Sequence, residues 1–385
     1  MRPQPILSAE RQVHDPEGRR RVLIVKLSSI GDIVFSLPAL EALRRTRPDD
    51  FIAWVVEDRA AALLENHPLL DQVITLPRKE WRRLRREEGL LAAARAIWQF
   101  RMKLRSLRFD LAFDLQGNIK SGLVAWASRA RRRFGFARQD CREPNWIFTH
   151  ARLAPQPKGQ HRIDRDLALL KQAGIKAEWS AITPPCTKND GVTVDDWLEK
   201  HLSADEPLVV MIPGTSEWLK TKRWPVERYA ELARRLQQKQ KTRVVLSGGP
   251  GEESLLAQIA DAAPNATLAP SKPWSLAETA YLFMRADLVL GSETGPIHLA
   301  ATLKAPTLAM FGPYDPGPLF PYQHPEYAIY AAVACSPCRY RSCPRPVCMT
   351  QIGLEEVQTL AESILNAIPD PARCPAANKT VFLRR

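Results

Sequence analysis

Residues 21–40 read RVLIVKLSSIGDIVFSLPAL, and the fold follows from how this stretch changes character along its length. Positions 22–25 form a run of aliphatic and β-branched residues, the composition of a strand buried on both faces. Ser28, Ser29 and Gly31 then turn the chain, and a helix-forming segment follows. The turn leaves Asp32 beyond the carboxyl end of the strand, the edge at which open α/β sheets bind ligands. Two readings of Asp32 stand here: a cap for the first N–H groups of the helix, or a catalytic carboxylate.

The same rhythm continues outward. FIAWVV at 51–56 and QVITL at 72–76 read as strands, with a helical segment at 60–66 between them. Residues 81–108 form one long helical stretch. Leu84, Leu91, Ala94, Ile97 and Trp98 recur at helical spacing, with Arg82, Arg83, Arg85, Arg86, Arg101 and Arg105 interleaved. The expected place for that apolar stripe is against the sheet, the other being a membrane surface. Residues 111–115 are the next strand, running into QGNIKS at 116–121, so a second polar turn lies at a strand's carboxyl end. RARRR at 129–133 enters a strand, 164–173 is a helix, and the proline-bearing AITPPCTKNDG at 181–191 reads as a linker.

At 385 residues the chain exceeds the size at which one core stops growing, so two domains are expected, 21–180 and 192–385, after an extension at 1–20 read as disordered. The first 180 residues hold 34 Lys and Arg against 21 Asp and Glu, while the remainder hold 21 of each; the net charge of +13 therefore sits wholly in the first half. Such a field attracts polyanions, either nucleic acid or a phosphate-bearing membrane. The arginine clusters lack the interleaved aromatics on which bases stack, so no nucleic acid is expected. No apolar stretch approaches the roughly 20 residues of a membrane span. The first twenty residues lack the apolar centre of a signal peptide, which makes the cytoplasm the expected compartment.

The second half restarts the pattern with strands at 208–212, 243–246, 286–290 and 307–311 and a last helix at 354–367. Repeated strand–loop–helix units predict parallel sheets, and two such halves leave a cleft between them. Three of the strands run into glycine-bearing turns: PGTS at 213–216, SGGPG at 247–251 and GSETGP at 291–296. Turns of this kind before a helix offer unpaired N–H groups to a phosphate. Lys222 and Arg223 lie nearby in sequence. Neither G-x-x-x-x-G-K-[ST] nor a strand-borne G-x-G-x-x-G is present, which disfavours kinase, ATPase and dinucleotide-dehydrogenase chemistry.

Taken together, VKLSSIGDIVFSLPAL, DLQGNIKS, PGTS with KRWP, and GSETGPIHLAA followed by FGP resemble the ADP-heptose:lipopolysaccharide heptosyltransferases, glycosyltransferase family 9, over residues 21 to 367. The resemblance implies the GT-B arrangement of two Rossmann-like domains, with the acceptor bound mainly by the first and a nucleotide sugar, ADP-heptose, mainly by the second. It implies an inverting, metal-independent transfer to the inner core of lipopolysaccharide by a protein peripheral to the cytoplasmic face of the inner membrane. Asp32 corresponds to the family's general base and Lys222 to the lysine near the donor phosphates. Thr294 and Gly295, and similarly Thr215 and Ser216, correspond to the diphosphate contacts. Glu252, with Glu253 nearly as good a match, corresponds to the ribose contact, and His298 lies one turn into the following helix. Ser29, Gly31, Lys120 and Arg131, with Arg129, Arg132 and Arg133, are the candidates for an anionic acceptor.

Glu293 stands where the family usually has Asp, a carboxylate that the resemblance assigns to the donor sugar's hydroxyls; the added methylene moves it by about 1.5 Å, which leaves another donor sugar or a shifted pose open. The opening and KRWP motifs resemble different branches of the family, which leaves another acceptor open. A protein that binds nucleotide sugars or polyanions without transferring anything is the alternative of a different class. Seven cysteines, five of them after residue 334, do not suit a disulfide framework. Cys335, Cys338, Cys343 and Cys348 have a density that fits zinc or an iron–sulfur cluster, or else reduced thiols in a proline-rich loop; no other cofactor is expected.

Overall fold

The computed structural model describes residues 19–367 except 142, 204–205, 271–273, 339 and 341. Most of the expected 1–20 extension therefore lies outside the described residues, as does the second half beyond 367. Arg20 is held in place, its N–H donating to Asp50 Oδ1 at 3.3 Å and its carbonyl accepting from Phe51 at 2.8 Å.

The first half runs β1 (Arg21–Val25), α1 (Ile30–Thr46), β2 (Phe51–Glu57), β3 (Gln72–Leu76), α2 (Arg78–Glu87), α3 (Leu90–Ser106), β4 (Leu111–Asp114), α4 (Ile119–Ala127), β5 (Arg132–Gly135), β6 (Ala151–Arg152) and α5 (Arg162–Gln172). Its six strands are parallel in the order β3-β2-β1-β4-β5-β6. The second half runs α6 (Lys188–His201), β7 (Leu208–Ile212), α7 (Val226–Gln240), β8 (Arg243–Leu246), α8 (Glu253–Ala262), β9 (Thr267–Leu268), α9 (Leu276–Arg285), β10 (Leu288–Ser292), α10 (Gly295–Thr302), β11 (Thr307–Phe311), β12 (Ala328–Tyr330), α11 (Val347–Thr350) and α12 (Leu354–Ala367). Its parallel sheet has the order β12-β11-β10-β7-β8-β9.

Both sheets are covered on two faces, as the continuous aliphatic runs of β1 and β7 require. In the first, Leu23 and Val25 point to a core with Phe100 and Leu104 of α3 and Val124 of α4. Val22 and Ile24 point the other way, to a core that holds α1 and α5 and continues into Leu282, Ile297 and Leu299 of the second half. That shared core packs α1 directly on α10, which fixes the two strand edges opposite each other.

Residues 81–108 differ from expectation. Gly89, at φ +94°, ends α2 and lets α3 start in a new direction. The stripe expected to pack on the sheet faces outward instead, with Leu91 87% and Trp98 58% exposed, while Ala93 and Leu104 make the buried contact. Apolar residues lie on both sides of this helix, so periodicity alone selects the wrong side. Several boundaries also move, two of which bear on the cleft. Positions 188–191 of the expected linker are the first turn of α6, capped by Thr187. β10 extends through Gly291 and Ser292, since a Cβ at Gly291 would stand 2.4 Å from the Ile212 carbonyl oxygen and glycine alone admits that approach. Only Glu293 and Thr294 remain between β10 and α10.

Candidate active site

Asp32 is the third residue of α1, and its two oxygens have separate tasks. Oδ2 accepts from the N–H and the Oγ of Ser29, both at 3.1 Å, which is the capping role. Oδ1 is held by the guanidinium of Arg162. Capping therefore occupies one oxygen and leaves the other facing a cation at the strand edge.

Arg162 escapes a reading of the sequence because its helix is expected to start at 164; α5 starts at 162, with His161 as its cap. His161 Nδ1 accepts from Ile163 N–H at 3.2 Å, so the proton belongs on Nε2, which faces the Phe320 carbonyl at 3.1 Å. Burial, then the nearby His298, keeps this ring neutral by pushing its pKa down to about 3. The Arg162 N–H donates to the Pro318 carbonyl at 3.1 Å, so a segment of the second half fixes the residue that holds Asp32. Below lies a buried set: Lys26 Nζ donates to the Leu115 carbonyl at 2.7 Å and stands 3.9 Å from Asp166, which accepts from Ser36 Oγ at 2.5 Å. Burial lowers the Lys26 pKa to about 8.

In the second sheet β10, β7 and β8 are adjacent, so the three glycine-bearing turns stand side by side at one edge. Lys222 and Glu293, both buried, form an ion pair there. Glu293 Oε1 also lies 2.9 Å from His298 Nε2, and Lys222 Nζ sits 3.9 Å from the Tyr314 ring centre. Burial drives the Glu293 carboxyl up, but His298 and Lys222 outweigh it and hold the pKa below the usual range. Burial lowers Lys222 despite Glu293, and it lowers His298 in the same way. Thr294 caps α10 beside a buried Oγ1 that has no partner among the described residues. Thr215 is a brace: its Oγ1 donates to the Leu219 carbonyl at 3.1 Å and accepts from Arg223 Nε at 3.2 Å, whereas Ser216 is exposed. Glu252 leans on the first two turns. A Cβ on Gly214 would fall 2.0 Å from its carboxylate, which itself accepts from Gly249 N–H at 2.8 Å. Glu253 is turned outward, so Glu252 is the one placed among the loops.

The two edges meet at a pair of glycines. A Cβ on Gly31 would stand 3.2 Å from His298 Cδ2 and 3.4 Å from Gly295 Cα, and one on Gly295 would stand 3.3 Å from the Gly31 nitrogen. The Phe35 ring lies 4.3 Å from the His298 ring, and Arg162 reaches over Phe35 at 5.9 Å. Asp32, Ser29 and Gly31 of one half thus face Lys222, Glu293, Thr294, Gly295 and His298 of the other.

Lys120 opens α4 at the same edge as Asp32, 3.6 Å from Glu57, which also pairs with Arg78 at 2.5 Å. Arg131 is not brought there. It precedes β5 and pairs with Asp110 at 3.6 Å, at the amino edge of the sheet, about 13 Å of strand away from the carboxyl edge. In a parallel sheet every strand start shares that far edge, and this corrects the grouping of Arg131 with Asp32. Arg133 is used locally, donating to the carbonyls of Phe148 at 2.7 Å and Ala130 at 3.2 Å. Among the described residues no three His, Cys, Asp or Glu side chains converge as metal ligands; Cys335 and Cys343 are exposed, and Cys348 is buried against Gly312.

The buried histidines give stability a pH dependence. Burial holds His161 near pKa 3 and His67 near 4, both below the unfolded value of about 6.5, so the unfolded chain takes up protons that the folded one refuses. The contribution of these two rings is complete above pH 6.5 and falls as pH drops toward 4, by about 1.4 kcal/mol per pH unit for each ring. Melting curves of His161→Asn, which keeps a capping side chain, are expected to lose one ring's share of that slope.

Comparison with known proteins gives concordant matches. The model of "Glycosyltransferase family 9 (heptosyltransferase)" matches residues 97–348. Lipopolysaccharide heptosyltransferase 1 of Pseudomonas aeruginosa is 30% identical over 372 residues, covering 90% of this chain and 98% of its own. The E. coli heptosyltransferase WaaC, solved with ADP, superposes with a TM-score of 0.68 at 26% identity, covering 89% of this chain and 99% of its own. The same enzyme solved with ADP-2-deoxy-2-fluoro heptose gives 0.66 at 25% identity, with the same coverage.

Proposed function

The chain belongs to glycosyltransferase family 9, the heptosyltransferase family, and from that premise we propose that it moves a heptose from ADP-heptose to the inner core of lipopolysaccharide with inversion at the anomeric carbon. The observation that carries this reading is the meeting of Asp32 with Lys222 and the amino end of α10 across the Gly31–Gly295 contact. A WaaC structure holding ADP and another holding a fluorinated ADP-heptose support the choice of donor.

In this mechanism the diphosphate lies on the N–H groups at Thr294 and Gly295, and Lys222, held by Glu293, presents its charge to it. Glu252 takes the ribose hydroxyls. Asp32 Oδ1 removes the proton of an acceptor hydroxyl as its oxygen attacks the anomeric carbon. The carbon–phosphate oxygen bond breaks on the opposite side, and its electron pair leaves with the diphosphate toward Lys222. Arg162 keeps Asp32 aimed. Lysine and helix amides supply the positive charge that the departing group needs, so the reaction is assigned no metal. Glu293 serves in this reading as the anchor of Lys222 and His298, which frees the sugar contact for other groups. The acceptor is a phosphorylated lipid in the cytoplasmic leaflet of the inner membrane, and Lys120 and Arg78 meet its anionic groups.

The test is incubation with a panel of nucleotide sugars and de-acylated lipopolysaccharide core. We expect a single added heptose by mass from ADP-heptose alone, with the anomeric configuration inverted by NMR. Transfer of another sugar, or only donor hydrolysis, overturns the reading.

A further inference from the structure

On the side of the first sheet turned away from the second half, large apolar side chains stand uncovered. Leu91, Trp98 and Met102 of α3 are 87%, 58% and 39% exposed, Leu123 and Trp126 of α4 are 46% and 45% exposed, and Ile147 in the turn beside α4 is 62% exposed. Leu91, Trp98 and Met102 recur on one side of their helix. α3 packs on α4 and α4 on the 145–148 turn, and the Arg101 guanidinium lies over the Trp126 ring at 4.7 Å, so these residues form one surface. An apolar patch of this extent marks an interface rather than ordinary surface. Exposed arginines border it, among them Arg85 and Arg86 on α2, which packs on α3, together with Arg95 and Arg129. No helix among the described residues is long and apolar enough to cross a membrane.

We propose that this face seats the protein on an anionic lipid bilayer, with Trp98, Trp126 and their aliphatic neighbours entering the headgroup layer and the arginines resting on lipid phosphates. Charge selects this occupant: the whole net excess of +13 belongs to the first 180 residues, which carry the patch. Aromatic and aliphatic residues amid arginines are the composition of a helix lying in the interfacial plane. Position gives it a use. Trp126 and Lys120 are six residues apart on α4, about 9 Å along its axis, so a lipid-borne acceptor at the headgroup level meets the strand edge that holds Asp32. The use, though not the surface, rests on the proposed lipid-borne acceptor.

The test is co-sedimentation of the full chain with phosphatidylethanolamine–phosphatidylglycerol vesicles and with phosphatidylcholine vesicles. We expect wild-type protein to bind the anionic vesicles and Leu91→Ser/Trp98→Ser to bind about tenfold more weakly. Arg85→Gln/Arg86→Gln should weaken binding to anionic vesicles alone and flatten its salt dependence. Both variants should keep wild-type transfer to de-acylated acceptor while losing transfer to acceptor embedded in vesicles. Equal vesicle binding by wild type and variants, or none by wild type, overturns the proposal. So does a wild-type dimer in light scattering that Leu91→Ser/Trp98→Ser splits with vesicle binding unchanged, since a second copy would then be the occupant. Absence of heptose transfer to de-acylated acceptor would instead sink the enzymatic reading and leave the vesicle result standing.

Discussion

Asp32→Asn is expected to slow transfer by about a thousandfold, within the 10²–10⁴ that a positioned general base supplies, while ADP binds within about twofold of wild type. The two effects separate because Asp32 lies on α1 and the glycine-bearing turns lie at the edge of the other sheet. Asparagine preserves the cap, since its amide oxygen still accepts from Ser29, but its amide nitrogen then faces the Arg162 guanidinium in place of a carboxylate oxygen, so the melting temperature should fall modestly while the fold is kept. Single-turnover kinetics and calorimetry with ADP read the two quantities independently. Retention of a tenth or more of the rate removes Asp32 from the chemistry. A parallel loss of ADP affinity shows that it acts on the donor or on folding.

Lys222→Met is expected to weaken ADP-heptose binding by about tenfold and to slow transfer by about 10²–10³, the effect of deleting one group opposite a developing charge. It should also lower stability by about 3 kcal/mol, because Glu293 is then left buried with only His298. Lys222→Met/Glu293→Gln distinguishes the two consequences. Removing the stranded charge should recover most of the stability, and turnover should stay low. Recovery of turnover together with stability would mean that Lys222 matters only as the partner of Glu293.

The repeating strand–turn–helix pattern announces both sheets because their central strands are buried on two faces and read as unbroken aliphatic runs, as 22–25 and 208–212 do. The short edge strands β6, β9 and β12, of two or three residues, carry too few residues for any period to register. α3 defeats periodicity for the opposite reason, having apolar residues on both sides so that tertiary packing makes the choice. At the site, Asp32, Lys222 and the Thr294–Gly295 turn follow from motif and strand position. Arg162 does not, because it joins Asp32 across 130 positions of sequence and depends on a cap at His161 that a helix predicted to start at 164 conceals. Arg131 fails for a different reason: a basic cluster in sequence carries no information about which sheet edge it occupies.

The Gly31–Gly295 contact has a mechanical consequence. When two bodies rock against each other, atoms displace in proportion to their distance from the point about which they turn. The α1–α10 seam is where the halves touch most closely near the site, and Asp32 and Thr294 are immediate neighbours of it. Rocking about that seam would widen the outer reaches of the cleft, around Glu252 on one side and Lys120 on the other, and leave the spacing between Asp32 and the Thr294–Gly295 turn almost unchanged. Such a motion would open the outer cleft while the fulcrum keeps Asp32 and the Thr294–Gly295 turn in register. Side chains larger than hydrogen at either glycine would act as a shim, altering reach at the mouth and alignment at the base together.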